Sequence, residues 1–157
     1  MKTSILLRRF VFTASAAAMF LVLGSMQAAD PDPKVMKYTM PKDIKWTTSP
    51  SGSSQAVLAG DPSKPGLYVV LTKWAPHSMS RPHQHPNDRF ITVISGTWWL
   101  GWGPKYDPDS TFPVKAGSFV THYGGQIHYD GAKDEEALLQ IVGMGPAQST
   151  SAEAKGK

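Results

Sequence analysis

The sequence contains no cysteine. That excludes a disulfide framework, a thiolate metal site, a cysteine nucleophile and a lipidated cysteine, leaving histidine nitrogen and oxygen as metal donors. Long apolar runs are missing too. The longest uncharged one, residues 10–24, holds 15 residues, against roughly 20 for a membrane-spanning helix. No segment repeats its apolar residues with the 3.6 period of an amphipathic helix. A GxSxG elbow, a phosphate-binding glycine loop and a dinucleotide fingerprint are all absent; the GxG triplets at 101–103 and 143–145 precede no helical pattern. Glu135 and Glu136 are adjacent in a turn-like AKDEEA stretch, where alternation sends the carboxylates to opposite sides and rules out a glycosidase pair.

The amino terminus has the order of a secretory signal. Lys2, Arg8 and Arg9 precede the apolar run, and SMQAA offers small residues for cleavage near Ala28 or Ala29. Residues 1–29 are therefore expected to be a signal peptide, and the mature protein to be periplasmic or secreted. The Arg8-Arg9 pair fits the twin-arginine route and an ordinary basic start equally. Without this segment, 13 basic residues face 12 acidic ones, a net charge of +1. No basic face remains for nucleic acid, and none for a membrane surface after cleavage.

In the remaining 128 residues, enough for one core without covalent staples, short β-type runs alternate with turn residues. The runs are QAVLAG, LYVVLTKW, RFITVISGTWWLGW, GSFVTHY, IHYDG and EALLQIVGMG; the turns include DPSKPG, HPND, GPKYDPDS and DGAKD. This predicts a single all-β domain over 55–146, with one short helical turn near 106–111. An arm and loop over 30–54 precede it, and a polar, disordered tail over 147–157 follows.

All five histidines fall between 77 and 128. His83 and His85 are two apart, so in an extended segment both imidazoles share a face and can hold one metal ion. Two histidines leave such an ion mostly in water. His128, after the Gly124 and Gly125 turn, is the best third donor. An HxH pair alone is weak, since histidines in loops are commonplace.

The spacing around these residues resembles the cupin superfamily. The first cupin motif runs glycine, five residues, HxH, three or four residues, glutamate, six residues, glycine; His83-Gln84-His85 fits the pair and Gly96 the closing glycine. Gly117, Gly125 and His128 fit the second motif. The resemblance covers 77–131 and implies a double-stranded β-helix, or jelly-roll barrel. It further implies a divalent transition metal (Fe, Mn, Zn, Cu or Ni) held by His83, His85 and His128 in the barrel mouth, and a homodimer.

Two positions depart from the pattern. His77 stands where the first motif opens on glycine, and Arg89 stands where a metal-binding glutamate is usual. Arginine carries a permanent charge and only donors, so it cannot ligate a cation. At an assumed ~7 Å from a divalent ion and an effective dielectric of about 20, it would repel the ion by roughly 4 to 5 kcal/mol. Four readings stand: Arg89 pairs with a carboxylate such as Asp88, bends away, holds an anionic substrate, or marks a barrel without metal. Asp88 is an alternative ligand on the wrong parity. His122 is a ligand, a proton carrier or a satisfied structural histidine.

Three functions follow. In a metal-dependent enzyme of dioxygenase, isomerase or lyase type, the ion would activate a small oxygen-bearing, anionic substrate, with His122 moving protons and Arg89 orienting the anion. A binding module would capture a metal or small ligand without turnover. A metal-free barrel would serve as a scaffold.

Overall fold

Strict alternation along the β-type runs dictates where each side chain goes. In β3 (Gly66–Trp74) Tyr68, Val70, Thr72 and Trp74 are buried on one face, and in β6 (Arg89–Ser95) Ile91 and Val93 are buried. The computed structural model describes residues 30–50 and 52–153; the expected signal segment lies outside them. These residues divide into two units at Lys37. The first shows a turn in which the amides of Val35 and Met36 both donate to the Asp32 carbonyl at 3.0 Å.

The second unit is an all-β jelly roll of two antiparallel sheets, as expected. Its strands are β1 (Thr47–Thr48), β2 (Ser53–Ala59), β3, β4 (Ser78–Met79), β5 (His83–Gln84), β6, β7 (Thr97–Trp102), β8 (Phe112–Lys115), β9 (Phe119–His122), β10 (His128–Ala132), β11 (Ala137–Gly145) and β12 (Thr150–Ser151). One sheet runs β1-β2-β3-β11-β6-β9, the other β12-β5-β10-β7-β8, with β4 also paired to β10. Of two 3-10 turns, Pro41–Asp43 and Pro108–Ser110, the second falls inside the stretch where a helical turn is expected.

The sheets meet over a core of Val70, Trp74, Ile91, Val93, Trp98, Val114, Leu139 and Ile141. Ile91, Leu139 and Trp98 lose all exposure, each worth roughly 1.5 to 3 kcal/mol of apolar burial. Register then sorts chemistry by depth. One row across the first sheet is Val70, Ile141, Ile91 and Val120; the next is Tyr68, Gly143, Arg89 and His122. Gly143 must lack a Cβ, which would lie 2.6 Å from the Tyr68 hydroxyl. The barrel is thus apolar at one level and ionisable at the next.

The ordered domain extends beyond the expected limits 55–146. Upstream, β1 pairs with β2. Downstream, the segment expected to be disordered from 147 instead returns to the barrel: β12 pairs with β5, Ala147 N donates to Pro62 O, and Arg81 bonds Glu153. Its polar composition hid this because, apart from the Arg81–Glu153 ion pair, its anchoring groups are main-chain amides and carbonyls. Residues 154–157 lie outside the described part.

The glycine replaced by His77 is explained by backbone conformation. His77 has φ 60°, the positive-φ residue other than glycine among the described residues, and its side chain is exposed. Left-handed backbone costs a non-glycine residue roughly 1 to 2 kcal/mol. His77→Gly should therefore raise stability by about 1 kcal/mol and the melting temperature by a few degrees. Thermal and urea unfolding of the two proteins check this.

Candidate metal and ligand site

β10 carries His128 between two partners, β7 on one side and β5 on the other, and its register sets His128 directly across from His83. His85 follows two residues later. The loop before β10 is locked onto it: Gly125 N donates to the His85 carbonyl and Gly124 N to Asp88 Oδ1, both at 2.7 Å. The ring centroids stand 4.5 Å apart for His83 and His128, 5.0 Å for His83 and His85, and 5.4 Å for His85 and His128. One ring nitrogen from each lies within 4.8 Å of the others.

Each imidazole is oriented by the main chain. Nδ1 of His83 donates to Arg81 O (2.8 Å), Nδ1 of His85 to Gln148 O (2.8 Å) and Nδ1 of His128 to Gln126 O (3.0 Å). A carbonyl only accepts, so every Nδ1 carries its proton and, in the neutral ring, every Nε2 presents a lone pair. Burial pushes the pKa of His85 down to about 3, with Arg89 adding to the effect. Burial lowers His128 too, against the pull of Asp130. Both rings are therefore neutral near pH 7, as a metal requires.

His128 Nε2 is buried without a hydrogen-bond partner, a lone pair shielded from water and lacking a donor. His85 Nε2 accepts from Arg89 Nη1 at 2.8 Å. The donor set fits a divalent ion, with one condition. Arg89 occupies the lone pair that His85 would give to the ion, so the conflict concerns one lone pair rather than repulsion at a distance.

Two sequence expectations change. Asp88 neither faces the cluster nor pairs with Arg89; its carboxylate accepts from Gly124 N and fastens the loop before β10. His122 stands opposite Arg89 in the sheet, its ring 4.0 Å from that of His128 and 5.2 Å from Trp98, and its Nδ1 is buried without a partner. It lies beside the three-histidine group and outside it. Burial, reinforced by His128, pushes its pKa down to about 3.

Asp130 is a site residue that sequence reasoning passed over. Its carboxylate accepts from Trp98 Nε1 (2.9 Å) and Ser80 Oγ (3.2 Å) and is 4% exposed. Burial would raise its pKa, but His128, His122, His83 and Arg89 outweigh burial and hold it below the ordinary value. The available signal was an acid at an interior position of the β-type run IHYDG. Among the aromatics near the motifs, Trp98 packs on His122. Tyr106 meets the buried Tyr129 edge to face, and the Arg81 guanidinium lies 3.9 Å over the Tyr106 ring.

A cavity of about 600 Å³ opens from His83 and His85 toward Thr72 and Trp74. A second, of about 460 Å³, lies toward Tyr68 and Gln148. Arg89 and His85 line both.

Residues 34–148 match the family model described as the ChrR cupin-like domain. No curated protein matches significantly. Among solved structures, the polyketide cyclase RemF of Streptomyces resistomycificus is similar at 18% identity and TM-score 0.64, covering 76% of this chain and 87% of its own. KdgF from Halomonas sp. is similar at 17% identity and TM-score 0.56, covering 71% and 96%. The complex of Rhodobacter sphaeroides SigE with the anti-sigma ChrR contains a chain similar at 16% identity and TM-score 0.52, covering 68% and 51%. Identities this low speak for the fold. With 373 solved chains similar to this one, that fold is too widely shared to select a chemistry.

The depressed histidines give the apoprotein a defined acid sensitivity. His85 and His122 have folded pKa values of about 3 against about 6.5 unfolded. As pH falls below that unfolded value, the unfolded chain takes up protons that the folded one refuses. The stability contributed by their neutral state is complete above about pH 7 and is lost as pH falls through 6.5 toward about 3. Urea midpoints measured in chelator at pH 7, 6 and 5 should decline stepwise, and His122→Gln should flatten the decline.

Proposed function

This chain belongs to the ChrR cupin-like family, and on that premise we propose that it is an exported protein that binds a divalent transition metal through Nε2 of His83, His85 and His128. The metal would present open positions to a small oxygen-bearing molecule in the adjoining cavity. One observation carries the reading: three imidazoles from β5, the following loop and β10 have every Nδ1 committed to a main-chain carbonyl. That leaves the three Nε2 lone pairs unclaimed by the main chain, the one on His128 buried and unpartnered and the one on His85 accepting from Arg89. A scaffold barrel would have no use for a shielded lone pair, which costs on the order of 1 to 3 kcal/mol. Export is supported by the basic start, apolar run and small-residue end of residues 1–29.

A metal held by three neutral donors keeps its charge and supplies Lewis acidity toward a bound oxygen. The chain's own residues do the rest. The carbonyls of Arg81, Gln126 and Gln148 fix the tautomers. Asp130 supplies negative potential beneath the rings. His122, neutral and against His128, is the group positioned to hold or pass a proton at its unpartnered Nδ1.

Elemental analysis of untagged wild type, His83→Ala and His128→Ala tests this. Wild type is expected to carry close to one equivalent of a first-row metal, or to take one up when it is offered. Either variant, left with two imidazoles, should bind at least on the order of 100-fold more weakly. A folded wild type that neither carries nor acquires metal would overturn the reading.

A further inference from the structure

The 600 Å³ cavity is lined by three residues whose polar side-chain atoms are buried without a partner: Arg89 Nε, Trp74 Nε1 and Thr72 Oγ1. The first two can only donate, and the hydroxyl can do so. A lining whose residues hold three unused donors suits an acceptor-only group. The charge is also one-sided. Among the described residues no carboxylate lies within 4.0 Å of the Arg89 guanidinium, and Asp130, which acts on it from farther away, already accepts from Trp98 and Ser80. The lining carries two guanidinium groups and the Asp130 carboxylate; Arg81 is paired with Glu153, which leaves Arg89 as the lining cation without a carboxylate partner among the described residues and favours a monoanion over a phosphate dianion. Trp74 and Ile141 add apolar surface for an organic body.

Arg89 also has room to move. It borders both cavities, and among the described residues the hydrogen-bond partner of its side chain is His85 Nε2. We propose that the larger cavity binds a small organic monocarboxylate at Arg89, and that this draws the guanidinium off His85 Nε2 and releases that lone pair to the metal. The proposal rests on the three-histidine metal reading and adds to it a ligand class and a coupling: carboxylate and metal each strengthen the binding of the other. A charge-assisted bond to carboxylate is stronger than the guanidinium's bond to a neutral imidazole, so the exchange runs in the required direction.

The test titrates metal-free protein with Co²⁺, followed by its visible absorption, in chloride and in benzoate at equal ionic strength. Wild type should bind Co²⁺ about 10-fold more tightly in benzoate, and by reciprocity Co²⁺ should tighten benzoate binding by the same factor. Arg89→Met should bind Co²⁺ more tightly than wild type in chloride and be indifferent to benzoate. Thr72→Val should weaken benzoate while leaving Co²⁺ affinity in chloride unchanged, a readout that does not depend on Arg89→Met folding. Wild type binding Co²⁺ equally in both salts overturns the coupling and leaves the metal site standing. Coupling that persists in Arg89→Met places the carboxylate on the metal itself and overturns the role of Arg89. Failure of every form to bind Co²⁺ in either salt overturns both readings.

Discussion

The hydrogen bonds from three imidazole Nδ1 atoms to the carbonyls of Arg81, Gln126 and Gln148 are the constraint on which the mouth of this barrel depends. A free imidazole rotates and exchanges tautomers; a ring whose Nδ1–H is held by a carbonyl does neither, and its Nε2 becomes a fixed acceptor. The three carbonyls come from the chain just before β5, the turn before β10, and the segment that returns after β11. Each imidazole is thus aimed by a piece of backbone that would otherwise be ordinary loop, and those pieces must be ordered before the site exists. That explains why the loop before β10 is fastened through Gly124 to Asp88 and through Gly125 to the His85 carbonyl.

Charge around the rings follows from the same arrangement. Arg89 and Asp130 project into the interior beside neutral histidines, the one donating to His85, the other held by Trp98 and Ser80. Burying either charge alone would cost several kcal/mol. Here each lies in the other's field without a direct contact, so neither is fully neutralised. The usual carboxylate ligand of the fold would offset the ion's charge by direct bonding. In this chain a buried carboxylate is fixed by an indole and a hydroxyl, and the position where the motif has glutamate carries a cation bound to the His85 lone pair.

Much of this was legible because it depends on local rules. The six β-type runs foretell β2, β3, β6, β7, β9, β10 and β11, since a long alternating run announces itself. The strands that were not foreseen, β1, β4, β5, β8 and β12, span two to four residues and form only because a neighbour offers a free edge. The motif register put Arg89 at a position beside His83 and His85, but it could not show that the guanidinium would stop at His85 Nε2. Asp130 was invisible for a related reason: a carboxylate in a strand reads as a solvent-facing residue until Trp98 and Ser80, 32 and 50 residues away, are seen to hold it.

The segment after β11 shows most clearly what composition hides. In AQSTSAE only Ala147 packs against the core, and a tail of such polar residues is expected to remain in solvent. Yet its main chain supplies the carbonyl that orients His85 and the pairing that covers β5, where His83 sits. The barrel needs that segment for its backbone, so side-chain composition carries no trace of the requirement. A backbone role tolerates almost any polar sequence, provided that the chain is long enough to reach from β11 across the mouth and extended enough to pair. The ring of His85 is therefore governed by residues whose identities say nothing of metal or ligand.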